Sequence, residues 1–155
     1  MKELSNDIIN FFNKQGFVIV STIDSQGFIH CSAKGIAGIE KEGKIYVIDL
    51  YRGGTFNNLK NNPVVSITAV DEKHFTGYTL KGRARIVEKE RLGQDIIREW
   101  EERVVKRISQ RLIKNIQEEK KNSHHPEAEL PPVQYLIEIE VENIVDLTPA
   151  HIKRR

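Results

Sequence analysis

A chain of 155 residues with 39% apolar and 30% charged side chains has the length and composition of one globular domain with one core, and excludes a disordered or membrane-spanning chain. A formal net charge of +2 is too small to mark a nucleic-acid binder, and the basic excess collects in Lys153-Arg154-Arg155, which reads as a solvated tail. No apolar run reaches the ~18 residues of a membrane span, Met1-Lys2-Glu3 leads into no signal-like stretch, and the single cysteine, Cys31, excludes an internal disulfide, so a cytoplasmic protein is expected.

Residues 5 to 15 read as a helix, with Ser5 as its cap, Asp7 in its electropositive first turn, Ile8, Ile9 and Phe12 on one face, and Gly16 as its stop. From Phe17 the period changes to two. A strand runs to Ile23, turns through Asp24-Ser25-Gln26-Gly27 and returns over Phe28 to Ser32. A second pair of strands, Ile36 to Glu40 and Lys44 to Asp49, is joined through Lys41-Glu42-Gly43, where the glycine can take the left-handed conformation. Thr55 to Asn62 is long enough for about two turns of helix, which Pro63 ends because the residue before a proline disfavours helix. Strands follow at Val64 to Val70 and Phe75 to Val87, with Gly77 and Gly82 as expected bulges.

Over residues 89 to 121, Leu92, Ile96, Trp100, Val104, Ile108, Leu112 and Ile116 recur at helical spacing among charges of both signs. That pattern predicts a long amphipathic helix with a solvated charged face and Trp100 as a core anchor, rather than a nucleic-acid surface. A polar loop, 122–132, leads to a last strand, 133–142, in which Val133, Tyr135, Ile137, Ile139 and Val141 face the core and Gln134, Glu138, Glu140 and Glu142 face water. About six or seven strands in a meander with helices between them predict a mainly β (α+β) single domain over residues 1–155: a closed or nearly closed antiparallel barrel with flanking helices.

Chemistry is most legible at Asp49-Leu50-Tyr51-Arg52-Gly53-Gly54-Thr55. A strand ends, a diglycine lets backbone amides approach a ligand, and a helix begins whose free N–H groups and dipole favour an anion. Arg52 adds a forked cation and Thr55 a hydroxyl, the donors a phosphate monoester needs. The same residues also read as a plain turn, a helix cap and a solvated arginine. The Gly-Lys-Ser/Thr ending of a P-loop is absent, which argues against a nucleotide triphosphate. Lys34, beside Gly35, is a second cation for a phosphate or a flavin edge. His124-His125 with Glu127 and Glu129 raise a metal site only weakly, since adjacent loop histidines seldom converge on one ion, and no metal is assigned.

The order of these segments, with Ser32-x-Lys34-Gly35, then Thr55-x-x-Asn58-Leu59-x-x-Asn62-Pro63-x-Val65-Ser66, and later Gly82-x-Ala84-x-Ile86, resembles the pyridoxamine 5′-phosphate oxidase-like family of FMN-binding split barrels. The resemblance implies an antiparallel split β-barrel and a homodimer with FMN in a groove between subunits. It implies a phosphate near Lys34, Arg52, Thr55 and Asn58, with His30, Cys31 and Ser32 alongside the flavin and Leu50 and Tyr51 flanking its ring. Where the family often has a lysine before the position of Thr55, this chain has Gly54. The arginine- and histidine-bearing ending of true pyridoxamine-phosphate oxidases is not reproduced by Leu147 to Lys153, so that reaction is not assigned. The expected function is an FMN-dependent oxidoreductase of a small molecule or another flavin. The alternatives are a non-catalytic FMN-binding electron carrier, or the same fold using the deazaflavin F420 or haem.

Overall fold

The structure is a computed structural model that describes residues 1–91, 93–95, 97–99, 101–103, 105–106 and 133–153. Six strands close into an antiparallel barrel: β1 (Val18–Ile23), β2 (Ile29–Ile39), β3 (Lys44–Asp49), β4 (Val64–Asp71), β5 (Thr76–Glu88) and β6 (Tyr135–Asp146), neighbours in the order β1-β2-β3-β6-β5-β4. The helices are α1 (Asn6–Asn13), α2 (Gly54–Asn61) and α3 (Ala150–Lys153).

Local chemistry explains the ends of these elements. Ser5 Oγ accepts from the Ile8 amide at 3.4 Å and opens α1, which buries Ile8 and Phe12. At the β1–β2 turn the Asp24 carboxylate accepts from the amides of Gln26 and Phe28, both at 2.9 Å, the local bonding that makes aspartate a turn former. The strands carry the core on alternate residues. Val18, Val20, Ile45, Val47, Val65, Ile67, Leu80, Ile137, Ile139 and Val141 meet inside the barrel, each fully buried aliphatic side chain contributing roughly 1.5–3 kcal/mol.

Phe28 to Ser32 and Ile36 to Glu40, expected as separate strands, form one continuous β2. Residues 29–34 pair with β1 and 35–39 with β3, and the β2–β3 ladder carries a register shift between Ile36 and Gly38. Lys34-Gly35 is therefore not a break, and α2 follows the third strand rather than the fourth. The shift marks a bulge within that ladder, which bends the strand without interrupting it. Gly82 also sits at a register shift, where a Cβ would lie 1.9 Å from the Glu140 carbonyl oxygen. Gly77 does not, since it pairs with Val70 in regular register.

The last strand reaches Asp146, beyond the expected end, and its outward side is not uniformly wet. Leu136 packs outside the barrel with Ala37, Ile48 and Val133, and Glu138 is buried where Arg85 grips it with bonds of 2.8 and 3.0 Å. After β5 a short 3-10 turn, Lys89–Arg91, precedes helical residues among 94–106, so the helix starts later than residue 89. Arg103 ties this helical stretch to the Ile36 carbonyl at 3.3 Å and to Asn13 at 3.2 Å. Trp100, residues 107–132 and the His124-His125 pair lie outside the described residues. No helix among the described residues is long and apolar enough to cross a membrane.

Candidate functional site at the barrel mouth

Strand register decides which of the candidate residues meet. His30, Ser32 and Lys34 pair with Thr22, Val20 and Val18, and directly opposed residues share a face, so these three side chains point to the barrel's inner side at the end where α2 packs. Cys31 and Ala33 point the other way. The Cys31 thiol lies 3.3 Å from Ser21 Oγ on the exposed outer face. Leu50 also departs from the cluster, packing with the apolar patch outside the barrel, and Tyr51 is exposed.

The inner set converges on the first turn of α2. Ser32 Oγ and Thr55 Oγ1 are 2.8 Å apart, and Asn58 Nδ2 donates to Thr22 Oγ1 at 3.0 Å. The imidazole of His30 lies against Gly54, where an added Cβ would come within 2.8 Å of the ring. Glycine at 54 is thus what allows β2 and the start of α2 to approach this closely. The helix cap, Gly53, offers no side-chain hydrogen bond, and the amides of the first turn have no intrahelical acceptor.

Both nearby cations already have carboxylate partners. Lys34 Nζ donates to Asp49 Oδ1 at 2.7 Å, with the two side chains 12% and 1% exposed. The Tyr135 hydroxyl donates to the other Asp49 oxygen, and the Tyr51 amide reaches Oδ1 at 3.4 Å. Burial first, and then the bond to this carboxylate, pushes the Tyr135 phenol far above its ordinary range, so it remains a neutral donor. Arg52 forms a bidentate pair with Glu88 at 3.1 and 2.6 Å, its guanidinium 4.8 Å from the centre of the Phe56 ring and 5.2 Å from that of Tyr135. That pair raises the arginine and holds the Glu88 carboxyl below its usual range.

Sequence reading did not single out Asp49, Tyr135, Glu88 or Thr22. Asp49 carried a signal, a carboxylate closing an apolar strand before a diglycine. The other three needed the register that sets Tyr135 beside both Asp49 and Glu88, and Thr22 beside His30.

The donors suit a phosphate ester: the hydroxyls of Ser32 and Thr55 and the first-turn amides of α2, gathered at one helix N-terminus, with Arg52 in the preceding loop already paired to Glu88. Beside it, sharing Thr22, a groove of about 380 Å³ runs along the outer sheet past Ile29, Val64, Ser66, Lys81 and Arg83.

A closed six-stranded antiparallel barrel with a short helix at its mouth defines the class of the protein as a split barrel. The family described as Pyridoxamine 5'-phosphate oxidase matches residues 4–145, and the chain belongs to that family. Similar solved structures include HupZ of Group A Streptococcus, 17% identical, covering 94% of each chain with a TM-score of 0.63. HutZ of Vibrio cholerae, a haem storage protein, is 18% identical over 93% of this chain and 94% of its own, with a TM-score of 0.54. An FMN-binding protein from Syntrophomonas wolfei subsp. wolfei is 11% identical over 91% of this chain and 84% of its own, with a TM-score of 0.63. A search of curated proteins finds no match.

Proposed function

We propose that this chain is a cytosolic FMN-binding flavoprotein that acts as an FMN-dependent oxidoreductase on a small molecule. The observation that carries the reading is the uncapped first turn of α2 facing the hydroxyl pair of Ser32 and Thr55, a neutral donor set for the flavin phosphate. His30 and Asn58 line the same mouth, with Arg52 at its rim and Lys34 deeper, beside Asp49. When bound, the flavin supplies hydride or electron transfer, and the protein supplies position, hydrogen bonds and exclusion of water.

A homodimer completes the proposed groove. Phe17, Ile19, Phe28, Ile29 and Val64 are large apolar side chains left exposed on or beside the β1–β2–β4 surface, which suits cover by a second subunit. The family membership and the FMN-binding relative from Syntrophomonas wolfei support the flavin reading. The rival is haem at the same mouth, favoured by the likeness to HutZ.

The visible spectrum of the purified protein, before and after incubation with FMN, tests the reading. A flavin band that follows the protein through gel filtration is the expected outcome. A colourless protein that acquires none overturns the proposal, and a Soret band after haem addition puts the rival in its place. Replacing Arg52 and Thr55 together is expected to weaken FMN binding; unchanged affinity moves the site elsewhere. Turnover of an acceptor with NAD(P)H separates an enzyme from an electron carrier.

A further inference from the structure

Asp49 has no part in the donor set above, yet it is the most enclosed carboxylate at the mouth. It gathers Lys34 from β2 and Tyr135 from β6 onto the end of β3, directly below the loop that enters α2. An ammonium ion bonded at 2.7 Å to a carboxylate that is 1% exposed presents almost no net charge to a ligand a few ångströms away. At the rim, Glu88 pairs with Arg52 in a bond that water shares. The cations a phosphate would seek are thus balanced beforehand, leaving it neutral hydroxyls and amides.

We propose that Asp49 is a specificity-determining residue. By neutralising Lys34 it prevents strong discrimination between FMN and riboflavin, the same ring system without the phosphate. The inference rests on flavin binding at this mouth and deepens that reading. It also makes the flavin exchangeable, since the phosphate adds little to its retention.

The test compares FMN and riboflavin dissociation constants, by quenching of flavin fluorescence, in the wild type, Lys34→Met, Asp49→Asn and the double variant. The wild-type preference for FMN is expected below about tenfold. Lys34→Met leaves the Asp49 charge uncompensated and lowers that preference, whereas Asp49→Asn uncovers Lys34 and raises it by about tenfold. The double variant returns to the wild-type preference, and circular dichroism of each variant checks that the fold is intact. Should Asp49→Asn not fold, Lys34→Met against the double variant decides alone.

A double variant that keeps the lowered preference of Lys34→Met overturns the proposal, because the Lys34 charge then reaches the phosphate without passing through Asp49. A wild-type preference above about tenfold overturns it as well. If the wild type binds neither flavin, the flavin reading itself falls and this inference with it; if both bind but the double variant misbehaves, only the role of Asp49 is lost.

Discussion

Among the described residues, a cation–carboxylate pair at the barrel mouth and another on the outer wall each join two strands. At the mouth, Lys34 and Asp49 are 12% and 1% exposed, and Tyr135 adds a third member. On the wall, Glu138 is 8% exposed but its partner Arg85 is 69% exposed, so water shares the arginine's charge. An enclosed pair stands or falls together, because each partner is the other's main compensation for lost hydration; a pair with one solvated member can lose the other cheaply. The mouth pair therefore couples stability to the proposed binding site, whereas the wall pair only ties β5 to β6.

The largest expected effect breaks the mouth pair. Asp49→Asn should lower the unfolding free energy by about 3–5 kcal/mol, because it strands a buried ammonium, while Lys34→Met/Asp49→Asn should lie close to wild type. Urea denaturation followed by circular dichroism measures both, and equal losses in the two variants would contradict the enclosed-pair account. Next comes Gly54→Ala, whose methyl would meet the His30 ring at 2.8 Å. The ring is the movable end of a half-buried side chain, so a loss of only about 0.5–1.5 kcal/mol is expected from its displacement, and His30→Ala in the same chain should relieve most of it.

Removal of the hydroxyl pair by Ser32→Ala with Thr55→Val should weaken FMN by about three- to tenfold, the cost of one or two neutral hydrogen bonds, and leave riboflavin unchanged. Glu138→Gln on the wall should shift the urea midpoint far less than Asp49→Asn and leave flavin affinity alone.

The smallest effect belongs to the exposed Arg52–Glu88 pair, and it appears only in its pH and salt dependence. The arginine lowers the Glu88 carboxyl below the ordinary glutamate value of 4.5, so the pair's contribution is full above that pH and fades as pH falls through the lowered value. Glu88→Gln should flatten that part of the acid limb in a plot of urea midpoint against pH, and added salt should flatten it in the wild type.

The contrast between mouth and wall also sorts what could be read in advance. Elements with strong local signals were legible: the Ser5 cap, the Asp24 turn, the Asn62-Pro63 stop and the alternation of Ile137, Ile139 and Val141. Lys34-Gly35 misled because a strand that changes its paired neighbour and a strand that ends carry the same local residues, and only the partners across the sheet distinguish them. At the site, Thr55 was legible at the helix start and Ser32 and Asn58 came from the family resemblance, which also grouped Cys31 with His30 and Ser32 although a strand sends neighbours to opposite faces. Glu138 was expected to be wet because its pairing with Arg85 crosses 53 positions of sequence.

By itself the sequence determined the type of most elements, the barrel class and a helix after the diglycine, because these depend on residue period, turn chemistry and caps within a few neighbours. Only the tertiary structure decided which charges are already balanced. Lys34, Asp49 and Tyr135 come from three strands distant in the chain, and their meeting is fixed by barrel closure and register. Electrostatic neutrality is a property of distances in space, which no local pattern encodes.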